Sequence, residues 1–282
     1  MCERGYCMTF IITLIALVIE RFFDWSHLRQ WRWFTLYQAW LISRFSKWSP
    51  IVIFLICLLP PLLIVVCINF LLTGWLFNLI KLIFGATMLV YCLGPNNFWA
   101  EVYAAIKILH TEEPQIASEK VRQLFRVNSL DNPQVFHKKF TQMIFVEANR
   151  RVFAVFFWFL LLGPVGAMLY RLVDLCKLRG ITTQALAAQV QNLLDWLPVR
   201  IFTFIFALAG HFTAVIQHWR LCVFSPPIAN DVFLTDCGIA ALDILESGRI
   251  PEDGSAEKET LALLDRAFVI ALVILAIVVL VI

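Results

Sequence analysis

The run from Ile51 to Thr73, IVIFLICLLPPLLIVVCINFLLT, contains no charged residue. An α-helix rises ~1.5 Å per residue, so about 20 apolar residues cross the ~30 Å hydrocarbon core of a bilayer. A stretch this long and this apolar is read as a membrane span. Pro60-Pro61 at its centre predicts a kink packed against another helix, because mid-helix proline is tolerated in membranes where neighbours satisfy the freed carbonyls. Five further stretches carry the same signal, at about 6–19, 75–93, 152–170, 196–212 and 267–282. Only Gly74 separates 51–73 from 75–93, which predicts an antiparallel hairpin. The stretch at 6–19 is only ~21 Å long as a helix, and no small-residue cleavage site follows it, so it reads as a retained helix. The expected fold is all-α: one integral membrane domain over 1–282, a polytopic transmembrane helix bundle of about 5–6 spans with helical cytoplasmic segments.

Composition narrows the function classes. The chain is 61% hydrophobic and 15% charged, with a mean hydropathy of +0.79, where soluble chains run at about 45–50% and about 25%. The lipid bilayer is therefore the main partner. A net charge of +3 excludes nucleic acid, which demands dense Lys/Arg patches. The eight cysteines form no CxxC pair and no Cys/His set at zinc spacing, so they read as small apolar fillers and no metal site is expected. No nucleotide-binding loop, HExxH or GxSxG is present.

Basic residues give the orientation. They crowd three longer segments, for example Arg29, Arg32 and Arg44, then Lys138, Lys139 and Arg150, then Arg220 and Arg266, whereas the other side holds only Arg4, Arg171, Lys177 and Arg179. The three segments are placed in the cytoplasm and both termini outside, in a bacterial inner (cytoplasmic) membrane. The largest, an insert over 94–151, reads as helices with Asn97 as a cap, and Pro251 to Thr260 reads as a flexible linker.

Ionisable groups near the hydrocarbon cost about +2.5–3.5 kcal/mol each at mid-helix, so one kept there needs a partner or a function. Glu20 and Arg21 adjoin at the end of the first span. Glu147 and Arg150 are spaced i,i+3 with Asn149 beside them, and Arg171 and Asp174 repeat that spacing. Asp195 and Arg200 bracket Pro198, whose ring frees a carbonyl an arginine could reach. His211 sits seven residues before His218, on the same face if the helix continues. Glu20, Arg21, Glu147, Asn149, Arg150, Arg171, Asp174, Asp195, Arg200 and His211 are the ligand-binding candidates; the plainer reading makes them interfacial anchors and neutralising pairs.

The run EANRRVFAVFFWFLLLGPVGAMLYRL from Glu147 to Leu172, with LLDWLPVRIFTFIFALAGHF from Leu193 to Phe212 and the opening TFIITLIALVIERFFDW, resembles the AmpE family over nearly the whole chain. That resemblance implies an inner-membrane regulator or signal transducer linked to β-lactamase induction, with an anionic muropeptide or phosphorylated ligand and a cytosolic amidase as partners. The same elements are similar to the CbiB/CobD membrane enzymes, which join an aminopropanol phosphate to adenosylcobyric acid. Under that alternative the chain is a synthetase acting on a phosphorylated or anionic substrate, with ATP and magnesium; otherwise no cofactor is expected. Val146 to Arg151 departs from the acidic, asparagine-rich stretch of those enzymes, and Gln191-Asn192 stands where they carry two acids. These departures weigh against ligation, so the expectation is a regulator and not an enzyme. A small-molecule transporter is a third reading, suggested by Pro60-Pro61 and Gly163-Pro164 as helix breaks.

Overall fold

Ser49 and Pro50 begin the uncharged helix as the sequence predicts: the Ser49 hydroxyl accepts from the Val52 N–H, and Pro50 sits in the first turn, where its missing N–H costs nothing. The helix then continues through Pro60 and Pro61 to Leu71. The computed structural model describes residues 12, 31–45, 47–72, 78–93, 97–111, 119, 133–179, 183–242 and 254–281. All regular structure among the described residues is helical. In chain order the α-helices are α1 (Arg32–Arg44), α2 (Pro50–Leu71), α3 (Asn78–Cys92), α4 (Phe98–Thr111) and α5 (Pro133–Ala148). A π-helical turn, Asn149–Phe153, leads into α6 (Ala154–Leu162), α7 (Pro164–Arg179), α8 (Gln184–Ala209), α9 (Phe212–Cys222), α10 (Asn230–Ala241) and α11 (Ser255–Val281).

Three of these, α2, α8 and α11, are long and apolar enough to cross a membrane. Their side chains agree: Leu55, Leu59, Leu63 and Phe70 of α2 and Val269, Val273, Ile277 and Leu280 of α11 are exposed. Bare leucine and valine at such density are stable against lipid and not against water. Trp33, Trp40 and Trp48 are exposed on and just after α1, the kind of residue that settles at a membrane–water boundary. The molecule is an all-α helical membrane bundle. The first expected span lies outside the described residues, apart from Ile12.

The chain groups into two units. The first contains Met1–Asn97, Arg150–Asp195 and Val279–Ile282, the second Phe98–Asn149 and Trp196–Val278. In the first unit α7 is central and packs on α2, α3 and α6. Between α6 and α7, Gly163 has φ +65° and ψ −151°, a conformation open to glycine and little else. After it the chain turns back, and α6 and α7 pack closely along each other; a Cβ at Gly166 would overlap the Trp158 carbonyl. The stretch 152–170, expected as one span, is thus a helical hairpin that turns at Gly163, and its first arm is the end of the helical run that starts at Pro133 and passes through the π turn to Leu162. Gly163→Ala is expected to lower the stability of the purified protein by about 1–3 kcal/mol, from backbone strain alone, since nothing lies within 4 Å of the added methyl group. An unchanged thermal midpoint in detergent would show that the turn carries no strain.

In the second unit α10 packs on α5 and α9. Gly238 lets α10 approach α5 closely, because a Cβ there would come within 2.8 Å of the Phe145 ring. Trp99 Nε1 donates to Asp265 Oδ1 at 2.7 Å and His137 Nδ1 lies 2.8 Å from Glu257 Oε1, so α4 and α5 are each tied to the first half of α11. That helix begins at Ser255, inside the segment expected to be a flexible linker. Glu257 in its first turn suits the positive end of the helix dipole, and its pairing with His137 accounts for the burial of this one acid. The span expected over 196–212 likewise starts earlier, at Gln184, and ends at Ala209.

Candidate functional site

Folding the 152–170 stretch into a hairpin determines where its polar residues go. Tyr170, Arg171 and Asp174 lie on α7 and face helices of their own unit, where they are 0–4% exposed. The Tyr170 hydroxyl donates to Asp195 Oδ1 at 2.6 Å, a length typical of a bond to an ionised acceptor, and Gln191 Nε2 donates to Asp195 Oδ2 at 3.3 Å. Gln191 and Asp195 are one helical turn apart on α8, so one face of that helix presents both. Arg171 Nη1 donates to Asp174 Oδ2 at 2.8 Å, while among the described residues nothing partners Arg171 Nε. The charges of Arg150, Asp174 and Asp195 all bear on the Tyr170 hydroxyl. Three of the sequence candidates, Arg171, Asp174 and Asp195, are therefore buried beside Tyr170, and the half-buried Arg150 acts on the Tyr170 hydroxyl through its charge.

Tyr170 and Gln191 belong to the cluster and are absent from the sequence candidates. Tyr170 reads as the apolar end of a span, and Gln191 registers only as an acid replaced. The signal that finds Gln191 is its i,i+4 spacing to Asp195; nothing in the sequence pairs Tyr170 with Asp195.

The remaining candidates are placed elsewhere. Arg200 is buried in the second unit, with Nε on the Val223 carbonyl at 3.0 Å, Nη1 on the Trp196 carbonyl at 3.1 Å and on Asn230 Oδ1, and Nη2 on Ser225 O and Oγ at 2.8 and 2.9 Å. Its guanidinium also lies over the Trp196 and Phe233 rings, 4.6 and 5.1 Å from their centroids. Apart from the bond to Trp196 on its own helix, these bonds all hold the Val223–Asn230 segment between α9 and α10. His211 does not continue α8: it caps α9, its Nδ1 accepting from the Ala214 N–H at 3.3 Å. The α-helical register ends at Ala148, and the wider π turn from Asn149 to Phe153 replaces the spacing that put Glu147 and Arg150 on one α-helical face. Such turns recur at functional sites. Glu20 and Arg21 lie outside the described residues.

The first unit's cluster can do two things chemically. A carboxyl group held by a hydroxyl and an amide in an apolar interior can receive a proton-donating group, and the arginines attract an anion. Among the described residues no three His, Cys, Asp or Glu side chains gather.

Fold and site together define a helical membrane protein with a buried carboxylate–tyrosine–arginine cluster. Within that class the chain belongs to the CobD/CbiB family, whose description, CobD/Cbib protein, matches residues 13–227. It is 26% identical over 150 residues to the cobalamin biosynthesis protein CobD of Chromobacterium violaceum, covering 50% of this chain and 48% of that protein. It is 30% identical over 87 residues to the cobalamin biosynthesis protein CobD of Stutzerimonas stutzeri, covering 28% of this chain and 29% of that one. The chain thus spans about half the length, or less, of the curated relatives it matches. No solved structure matches.

These matches overturn the AmpE-like reading of a regulator of β-lactamase induction that senses muropeptides, since the family and both relatives are CobD/CbiB proteins. The expectation of a protein that is not an enzyme falls with it, because the relatives are biosynthetic proteins. The shared FFWFLLLGP and LDWLPVR elements carry the scaffold and do not separate the two families. Of the two departures that weigh against ligation, Val146 to Arg151 and Gln191-Asn192, the second places an amide that donates to the retained acid, Asp195.

Proposed function

We propose that this chain is a multi-pass inner-membrane enzyme of cobalamin biosynthesis, a synthetase that joins an amine-bearing, phosphorylated small molecule to an anionic acceptor. The observation that carries this reading is Asp195, an acid in an apolar interior fixed by Tyr170 and Gln191, with the Arg150 charge bearing on the same hydroxyl. In such a site Asp195 receives the amine and takes up its proton as the new bond forms, and Arg150 and Arg171 hold the substrate's anionic groups. Membership of the CobD/CbiB family supports the cobalamin pathway in this reading.

A test is growth of a bacterium that lacks its own CobD/CbiB protein on a nutrient whose use requires cobalamin. Expression of this chain is expected to restore growth and cobalamin content, and the vector alone is not. No growth from a strain whose membranes contain the protein would remove the assignment.

A further inference from the structure

Helix α1 buries Phe34, Gln38 and Leu41 on one face and leaves Trp33, Leu36 and Trp40 bare on the other, Leu36 at 70% and Trp40 at 57% exposed. Arg32 and Arg44, its first and last residues, are exposed at the two ends of that bare face, about 18 Å apart along the axis. Lys47 and Trp48 are exposed just beyond it. Between Asp24 and Glu101 the chain holds five lysines and arginines and no acid, so its whole net charge of +3 arises in that stretch and the remainder is slightly acidic.

Two hydrogen bonds fix where α1 sits. The Tyr37 hydroxyl donates to the Ile56 carbonyl at 2.7 Å, six residues or about 9 Å into α2. Trp33 Nε1 donates to the Tyr91 hydroxyl at 2.7 Å, one residue before α3 ends. The helix is thus fastened near the end where the uncharged α2 starts, and that end of α2 itself exposes Ile51 and Leu55. We propose that the bare face of α1 docks on anionic phospholipid. Trp33, Leu36 and Trp40 lie at the boundary between headgroups and acyl chains, and Arg32, Arg44 and Lys47 hold the phosphodiester charges of lipids of the phosphatidylglycerol class. A zwitterionic lipid would suit the tryptophans and leave a positive strip without counter-charge. An acidic protein surface would suit the arginines and leave the tryptophans and Leu36 facing polar groups.

The experiment reconstitutes the full chain in phosphatidylcholine vesicles that contain a minority of brominated phosphatidylglycerol, or brominated phosphatidylcholine in its place, and follows quenching of tryptophan fluorescence. Phosphatidylglycerol is expected to be preferred by at least about 10-fold, since each basic side chain near an anionic surface is worth about 5-fold. Arg32→Gln, Arg44→Gln and Lys47→Gln together should bring the ratio to within about 2-fold of unity. Salt at about 1 M, where the Debye length is ~3 Å, should do the same. Arg32→Lys with Arg44→Lys should keep the preference, because charge and not fork geometry carries it. Trp33→Phe, Trp40→Phe and Trp48→Phe together should remove the phosphatidylglycerol-dependent part of the quenching. Lys138→Gln with Lys139→Gln, also exposed but on α5, should change nothing. The proposal is overturned if the two lipids quench the parent equally, if the triple glutamine variant keeps the preference, if the preference is lost with Lys138 and Lys139 instead, or if the quenching survives loss of the three tryptophans.

Discussion

Replacing Arg200 by alanine is expected to destabilise the second unit by about 3–5 kcal/mol, the scale of removing one partner from a buried, fully hydrogen-bonded charge network. The substitution removes a donor from the carbonyls of Trp196, Val223 and Ser225 and from Asn230 Oδ1, and takes the cation away from the Trp196 and Phe233 rings. Lysine is a poor substitute: its three donors on one nitrogen cannot reach acceptors that the planar guanidinium serves on separate edges. Arg200→Lys should recover less than half of the loss. Unfolding of the purified protein in detergent measures both, and an alanine variant within about 1 kcal/mol of the parent would show that the network is dispensable.

Asp195→Asn is expected to lower the biosynthetic rate by about 100-fold to 10,000-fold, the range associated with a positioned acid–base group. Asparagine keeps an oxygen for the Tyr170 hydroxyl and can turn its amide towards Gln191, so the fold should persist while the charge is lost. Asp195→Ala differs, because it leaves the Tyr170 hydroxyl and the Gln191 amide unsatisfied and should cost a further 1–3 kcal/mol or about that in stability. Tyr170→Phe should retain more activity than Asp195→Asn and shift the pH profile of the rate, since the acid keeps its charge and loses one hydrogen bond. Product formation in membrane preparations reports the rates; an Asn variant as active as the parent would make Asp195 a structural acid only.

Arg150, Arg171, Asp174 and Asp195 were legible as polar groups that the membrane makes costly, and that reasoning needs only hydropathy and a count of charges. Their grouping was not legible. A straight helix over 152–170 would separate Arg150 from Arg171 by its full length; the positive φ at Gly163 and the bare Gly166 return the chain along itself. Asp195 and Arg200 illustrate the same limit from the other direction. Five residues apart on one helix and flanking Pro198, they read as a pair, but they take partners from separate parts of the chain, Tyr170 for one and the Val223–Asn230 loop for the other.

The sequence by itself determined the solvent and the class of structure: uncharged runs as long as Ile51 to Thr73 can satisfy their backbone in lipid only as helices, whatever their neighbours. Its two ordered motifs carried the likeness to the CbiB/CobD enzymes without separating them from AmpE, a choice that the family match decided. Only the tertiary structure decided which arginine closes a loop and which bears on a buried acid, that Gln191 supports a carboxylate, and that Gln38 meets Cys176. Those outcomes depend on contacts between residues as far apart as Gln38 and Cys176, and periodicity along a chain encodes which face is apolar, not which face it will meet.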